Sequence, residues 1–280
     1  MALGSDKSKS TVTESANSDN GPPADPVISF REVSKTYASR KGALITAVRP
    51  TTIDIQEHQF VSIVGPSGCG KTTLLKMAAG LIPATTGVVK YRGNQLRGPN
   101  PDLAVVFQSP VLLPWMRVTE NVTLPARVRH IPRKEASAKA AELLALMGLN
   151  QFGSVYPNEL SGGMQQRAAI ARALICDPTA LLMDEPFGAL DALTRERLNV
   201  ELQRIWMISR NTILFVTHSI QEAVFLSDRI IVMSSGPGRV TADIDVPFER
   251  PRNLDVVGES VEFAHLVTSI RKLLGGAGGG

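Results

Sequence analysis

Residues 65–72 read Gly65-Pro66-Ser67-Gly68-Cys69-Gly70-Lys71-Thr72, between two stretches of opposite character. Before them, Phe60-Val61-Ser62-Ile63-Val64 has the apolar run of a short buried strand. After them, Thr73 to Ala79 predicts a helix with Leu74, Leu75 and Met77 to bury. A strand, a glycine-rich turn and a helix carrying Gly-x-x-x-x-Gly-Lys-Thr form a loop that cradles phosphate. Gly65, Gly68 and Gly70 permit backbone conformations in which successive N–H groups converge on one anion. The helix start adds unpaired N–H groups and the positive end of its dipole. In such a loop Lys71 reaches the β- and γ-phosphates and the Thr72 hydroxyl ligates Mg²⁺. Pro66, Ser67, Cys69 and Thr73 complete the expected cradle.

The bulk properties suit such a core. The chain has 280 residues, 43% of them hydrophobic and 5% aromatic, enough for one large aliphatic α/β interior. A net charge of +4 without a dense Lys/Arg block gives no reason to expect nucleic acid. Two cysteines, Cys69 and Cys176, are neither a disulfide framework nor a metal-ligand pair, which fits a reducing cytosol. No apolar run approaches the ~18 residues that span a bilayer, and the N-terminus lacks the apolar stretch of a signal peptide. Any tie to a membrane is therefore expected through a partner.

Outward from the loop, the chain divides. Residues 1–26 are rich in Ser, Asn, Asp, Gly and Pro and predict a disordered leader. Val27 to Phe30, Leu44 to Val48 and Ile53 to Ile55 predict strands of a small antiparallel layer. Tyr37 ends the first of these stretches, either as a strand-end ring or as a platform on which adenine stacks. Val88 to Tyr91 and Leu103 to Gln108 predict further strands, the latter ending in a polar glutamine. From 109 to about 175 the signals are mostly helical. Ala136, Ala140, Leu143, Leu144 and Met147 mark one helix face, stopped by Gly148. Ala180 to Met183, Thr212 to Thr217 and Arg229 to Met233 then alternate with helices, which predicts a mainly parallel sheet with right-handed crossovers. Residues 236–280 hold a Gly/Pro-rich turn, a strand-like Thr241 to Val246, Arg250-Pro251-Arg252, an amphipathic Val261 to Leu274 and a glycine-rich end.

Two further constellations carry chemistry. Four apolar residues followed by Asp184-Glu185 fit a buried strand that delivers carboxylates at its C-terminal end. In phosphate-loop proteins the first acid binds Mg²⁺, and the second is placed to deprotonate an attacking water. Leu160-Ser161-Gly162-Gly163-Met164-Gln165-Gln166-Arg167 is the other. Ser161 is an N-cap, Gly162 and Gly163 let backbone N–H groups approach an anion, and a helix over 164–175 follows. Two anion-binding helix ends in one nucleotide protein suggest a triphosphate shared between them.

With Asp184-Glu185-Pro186 after it and the glycine loop before it, Leu-Ser-Gly-Gly-Met-Gln-Gln-Arg resembles an ABC-type ATPase over residues 27–235. The resemblance implies a P-loop NTPase core with a mainly parallel sheet, an antiparallel β subdomain and an inserted α-helical subdomain at about 109–175. It implies ATP and Mg²⁺ as ligands. By resemblance, Tyr37 stacks on adenine, and Gln108 senses Mg²⁺ and the γ-phosphate. Ser161 to Gly163 bind the γ-phosphate of ATP held by a second copy, and Gly188-Ala189-Leu190-Asp191 joins the two sites. His218, between Thr217 and Ser219, matches the switch histidine. His58-Gln59 stands where many relatives carry Gly-Glu, and Thr72-Thr73 replaces the common Ser-Thr; both substitutions leave the phosphate chemistry in place.

Two ATP sites, each completed in trans, imply a dimer whose closure works on a partner. Without a span of its own, the chain needs a separate integral membrane permease, and would sit on the cytoplasmic face of the cell membrane through it. Residues 108–115, Gln-Ser-Pro-Val-Leu-Leu-Pro-Trp, either cover the core or form the groove for a permease helix. Leu-Leu-Pro-Trp with Val118-Thr119-Glu120-Asn121-Val122, the Pro-Gly-Arg of 237–239 and a short tail are similar to the nitrate, sulfonate and taurine importer branch, which implies a periplasmic solute-binding protein. An ATPase of an export or lipoprotein-release system shares the motifs, so only the 109–122 stretch and the tail speak for import. A soluble ABC protein of DNA repair or translation would carry a long coiled coil or tandem ATPase halves. The segment between Lys71 and Ser161 holds no sustained heptads, and there is one phosphate loop.

Overall fold

A computed structural model describes residues 25–39, 42–234 and 236–275. All but residues 25 and 26 of the expected leader, and the glycine-rich end from residue 276, lie outside the described residues. Two sheets carry the fold. The first is antiparallel, in the order β2-β1-β4-β5, where β1 is Ile28–Ala38, β2 Leu44–Ile55, β4 Thr86–Tyr91 and β5 Asn94–Gln95. The second has six strands in the order β10-β9-β3-β8-β7-β6. Here β3 is Phe60–Val64, β6 Leu103–Val106, β7 Ala180–Asp184, β8 Thr212–Thr217, β9 Arg229–Ser234 and β10 Arg239–Asp245. Neighbours from β6 to β9 run parallel, and β10 runs antiparallel to β9.

The continuous apolar runs follow from burial on both faces of this sheet. Alternate residues of one strand feed two different cores. Phe60, Leu181, Met183, Ile213, Phe215, Ile230 and Val232 face the helical side. Val61, Ile63, Leu182, Leu214, Val216, Ile231 and Met233 face α1 (Lys71–Ala78) and the antiparallel sheet. The glycine loop leaves β3 inside this sandwich, so its floor is built from both cores.

Three readings change in detail. Leu44 to Val48 and Ile53 to Ile55 are halves of one strand, not two. Val48 pairs with Lys35 and Thr51 with Val33, so Arg49 and Pro50 together oppose Ser34. That bulge accommodates the proline, which has no N–H to give to a ladder. The strand expected to reach Gln108 ends at Val106, leaving Phe107 and Gln108 in an exposed bend. Of the predicted helix face, Ala136, Ala140, Leu144 and Met147 are buried, whereas Leu143 is only partly covered.

The helical insertion comprises α2 (Val118–Val128), α3 (Arg133–Leu146) and α4 (Gly162–Leu174). Two short 3-10 turns, Asn150–Phe152 and Pro157–Glu159, lead into α4. Asn121, fully buried in α2, ties down the preceding loop: its Oδ1 accepts from Leu113 N at 2.7 Å, and its Nδ2 donates to Met116 O at 2.9 Å. The Gln108–Trp115 stretch is thereby held against the insertion, with Trp115 72% exposed.

The C-terminal segment is built into the main core. β10 extends the sheet, α7 (Leu254–Val257) follows, and α8 (Val261–Gly275) buries Phe263, Val267 and Ile270 against α6 (Ile220–Leu226) and β9. Arg252, buried, fastens this segment. Its guanidinium donates to Val224 O, Phe225 O and Ser227 O at 2.8–3.0 Å, the carbonyls at the end of α6. A cation at a helix C-terminus also meets the negative end of the dipole. Burial lowers the Arg252 pKa to about 10, which leaves it charged at neutral pH.

Candidate active site

The glycines of the loop serve different ends. Gly68 and Gly70 have φ of +79° and +94°, the left-handed region that favours glycine. A Cβ at Gly68 would meet nothing within 4 Å, so the space above the loop is open. At Gly65 the need is room rather than φ, since a Cβ there would lie 2.6 Å from Cys69 Sγ and 2.7 Å from Met233 O. Cys69 is buried, which raises its thiol pKa and suits a packing role. Pro66 is half-buried and Ser67 exposed at the turn; Thr73 is half-buried on α1.

Lys71 is only 5% exposed and folds back on the loop. Its Nζ donates to Gly65 O at 2.9 Å and Pro66 O at 3.1 Å, and lies 3.8 Å from Glu185 Oε1. Thr72 Oγ1 donates to Asp184 Oδ1 at 2.8 Å. The sheet order explains that meeting. β7 ends at Asp184 one strand away from β3, separated from it by β8, so the carboxylates emerge beside the loop. Burial raises the Asp184 pKa; the Thr72 hydrogen bond opposes the rise and the Glu185 charge adds to it. A carboxylate held above its usual range by burial gains from a nearby cation.

Glu185 has φ of +44°, an uncommon conformation for a non-glycine residue. Its N–H donates to Val216 O at 2.9 Å, and its carbonyl accepts from Gly188 N at 3.0 Å. These bonds hold the turn and aim the carboxylate across the end of β8, where Oε2 lies 3.2 Å from His218 Nδ1. Gln108 comes to the same place from the other side. A Cβ on Gly188 would sit 3.2 Å from Gln108 Nε2 and 3.6 Å from Glu185 Oε2. Lys71, Thr72, Asp184, Glu185, Gln108 and His218 thus form one polar cluster at the C-terminal ends of the parallel strands, where open α/β sheets bind ligands.

Two expected elements stand apart from that cluster in the contacts of the described residues. Tyr37 is 42% exposed on β1, with Lys35 Nζ 5.3 Å from its ring centre. Ser161 caps α4 by accepting from Met164 N at 3.3 Å, while Ser161 and Gly162 are exposed. Gly162 and Gly163 neighbour Leu190 and Thr194, at the start of α5 (Ala192–Ser209), not the glycine loop.

The sequence pattern of the ABC transporter family matches residues 48–188. This chain belongs to that family. The taurine import ATP-binding protein TauB of Rhizobium johnstonii is 45% identical over 242 residues, covering 85% of this chain and 92% of that protein. The nitrate import ATP-binding protein NrtD of Synechococcus elongatus is 40% identical over 242 residues, 85% of this chain and 88% of that one. Among solved structures, a dimeric post-hydrolysis state of an ATP-binding cassette bound to ADP and Pi superposes with a TM-score of 0.69 at 33% identity. It covers 79% of this chain and all of that one. The chain is an ABC-type ATPase with the P-loop fold that its glycine loop implies.

One residue of this ABC ATPase escaped reading as part of the site. Gly238, in the Pro-Gly-Arg of 237–239, lies against the underside of the glycine loop. A Cβ there would fall 1.8 Å from Cys69 O and 3.0 Å from Ala47 O. Gly238 N donates to Ala47 O at 3.1 Å, and its carbonyl accepts from Arg49 N at 2.8 Å. The only local signal was a glycine between proline and arginine. Replacing Gly238 by Ala must displace the backbone at Cys69, and nucleotide affinity is expected to fall about tenfold or more, ~1.4 kcal/mol. Titration of a fluorescent ATP analogue checks this against Gly98→Ala, where a Cβ meets nothing within 4 Å. Equal affinities in the two variants would show that the loop tolerates the push.

Proposed function

We propose that two copies of this chain close on two MgATP molecules and that hydrolysis drives uptake of a small solute through a separate membrane permease. The observation that carries the two-copy reading is the separation within one chain. The exposed Ser161-Gly162 cap is packed on the α5 side, apart from the cluster around Lys71 and Asp184. In this reading a second copy presents that cap to the triphosphate held in the glycine loop.

In this reading Lys71 and the loop N–H groups bind the β- and γ-phosphates, and the ring of Tyr37 stacks on adenine. The oxygens at Asp184 suit Mg²⁺: the Thr72 hydroxyl and the Asp184 carboxylate are hard ligands, few enough to leave room for phosphate and water oxygens. Thr72, Asp184 and Gln108 would hold it, and when bound it neutralises charge on the phosphates. Glu185 takes a proton from the attacking water, and His218, 3.2 Å from Glu185, contacts the γ-phosphate. Ser161, Gly162 and Gly163 of the other copy close the site.

The transport direction and solute class follow the relatives whose names are taurine import and nitrate import proteins. The solute is accordingly a small oxyanion or sulfonate, delivered by a periplasmic binding protein. No helix of the described residues is long and apolar enough to cross a membrane; in this reading a separate permease holds the ATPase at the cytoplasmic face. The exposed Val111 and Trp115 stretch, braced by Asn121, is the surface offered to it. Co-expressed with a candidate permease and solute-binding protein of the taurine or nitrate import type, the chain is expected to co-purify in detergent. Proteoliposomes of that complex should then take up nitrate, taurine or an alkanesulfonate only with ATP. A chain that co-purifies with no membrane protein would remove the transport reading.

A further inference from the structure

Behind the switch histidine lies a buried charged group that the hydrolytic reading does not use. Glu222, on α6, is 7% exposed, and burial raises its pKa against the pull of Thr217, Arg195, His218 and Asn199. Thr217 Oγ1 donates to Glu222 Oε2, and Ser219 N donates to Thr217 Oγ1 at 3.0 Å. Glu222 N in turn donates to Ser219 Oγ at 3.3 Å. The two residues flanking His218 are therefore both tied to Glu222.

The other end of the same group reaches the loop at 188–191. Arg195 Nε lies 3.5 Å from Glu222 Oε1, and Arg195 Nη2 donates to Leu190 O at 2.8 Å. Asp191 caps the same helix by accepting from Thr194 N at 3.0 Å, so the end of the 188–191 loop and Arg195 are joined at the start of α5. We propose that Arg195 and Glu222 are positioning residues that transmit the placement of the 188–191 loop to the backbone on both sides of His218. This rests on the reading that His218 and Glu185 act on ATP at a two-copy interface.

The surroundings leave the link room to shift. Arg195 Nε and Asn199 Oδ1 are buried and make no hydrogen bond among the described residues. Both side chains line a cavity of about 200 Å³ with Glu222, Phe225, Leu254 and Phe263. A pair of which Glu222 is buried and Arg195 half-buried, with unused bonding capacity and adjacent space, can take two arrangements, which a rigid, fully satisfied core cannot. Such a two-state element, biased from one side, is the physical requirement for coupling between sites.

A double-mutant cycle on the full chain tests this. Arg195→Met and Glu222→Gln should each lower kcat for ATP about 10–100-fold while KM stays within about threefold. The double variant should be no worse than the poorer single one, because the two act through one link. Arg195→Lys should recover part of the loss. If Glu222→Gln fails to fold, Thr217→Val, nearly isosteric, cuts the same chain of contacts and should give the same kcat loss. Single effects that multiply in the double variant, or a loss confined to KM, would overturn the link. Wild-type hydrolysis serves as the reference: its absence would fell the underlying reading together with this one, whereas its presence with multiplicative losses would fell the link alone.

Discussion

Replacing Glu185 by Gln is expected to leave ATP binding intact, hold two copies in a closed assembly and lower turnover by about 10²–10⁴-fold, the usual worth of a positioned general base. The substitution keeps the shape and one acceptor oxygen, so the 3.2 Å approach of His218 and the turn held by Val216 O survive. What it removes is the ability to accept a proton. It also removes a negative charge 3.8 Å from Lys71 Nζ. With that competitor gone, Lys71 is freer to meet a triphosphate, and affinity should hold or rise. Turnover therefore falls without loss of binding, which no unfolding artefact would produce. Gel filtration with ATP should show the paired species, and a phosphate-release assay should show the loss. Normal turnover in this variant would mean that water is activated by another group.

The strained backbone at Glu185 bears on how far sequence reasoning could go. Four apolar residues before Asp184-Glu185 were enough to place both acids at the end of a strand. The runs at 60–64, 180–183 and 212–217 were legible because a strand buried on both faces has no polar alternation to confuse it. Nothing local shows that Glu185 sits at φ +44°, since that depends on bonds to Val216 and Gly188 that form only when β7 and β8 are side by side. The single long β2 was hidden for a similar reason: a proline mid-strand argues against continuity until the bulge opposite Ser34 is seen. Residues 236–275 were harder still. Their pattern predicts a strand and an amphipathic helix, yet only the assembled sheet reveals that β10 closes its edge, that Arg252 caps α6 and that Gly238 supports the phosphate loop. In the polar cluster around Lys71 and Asp184, residue types could be read from motifs, whereas the link from the Leu190 carbonyl through Arg195 and Glu222 to Thr217 joins groups with no motif spacing between them.

Lys71→Ala should weaken ATP binding by roughly 10–150-fold, corresponding to the ~1.5–3 kcal/mol of a hydrogen bond to a charged group. Two effects contribute with the same sign. The first is loss of the cation itself, which is 5% exposed and so acts in a poorly screened setting. The second is loss of the donors to Gly65 O and Pro66 O, which hold the start of the loop in the curve that aims its N–H groups. Lys71→Arg separates them. A guanidinium keeps the charge but cannot place one compact donor group against both carbonyls, so an arginine variant that binds like wild type would assign the affinity to charge. One that binds like alanine would assign it to loop shape. Stability without nucleotide should change little, because removing Lys71 also relieves the burial of a cation whose nearest carboxylate, on half-buried Glu185, stands 3.8 Å away. A nucleotide titration beside a thermal melt therefore distinguishes a lost ligand from a damaged fold. Unchanged affinity in Lys71→Ala would mean that the loop at 65–72 does not hold the phosphates, and the reading of Thr72, Asp184 and Glu185 around it would have to be rebuilt.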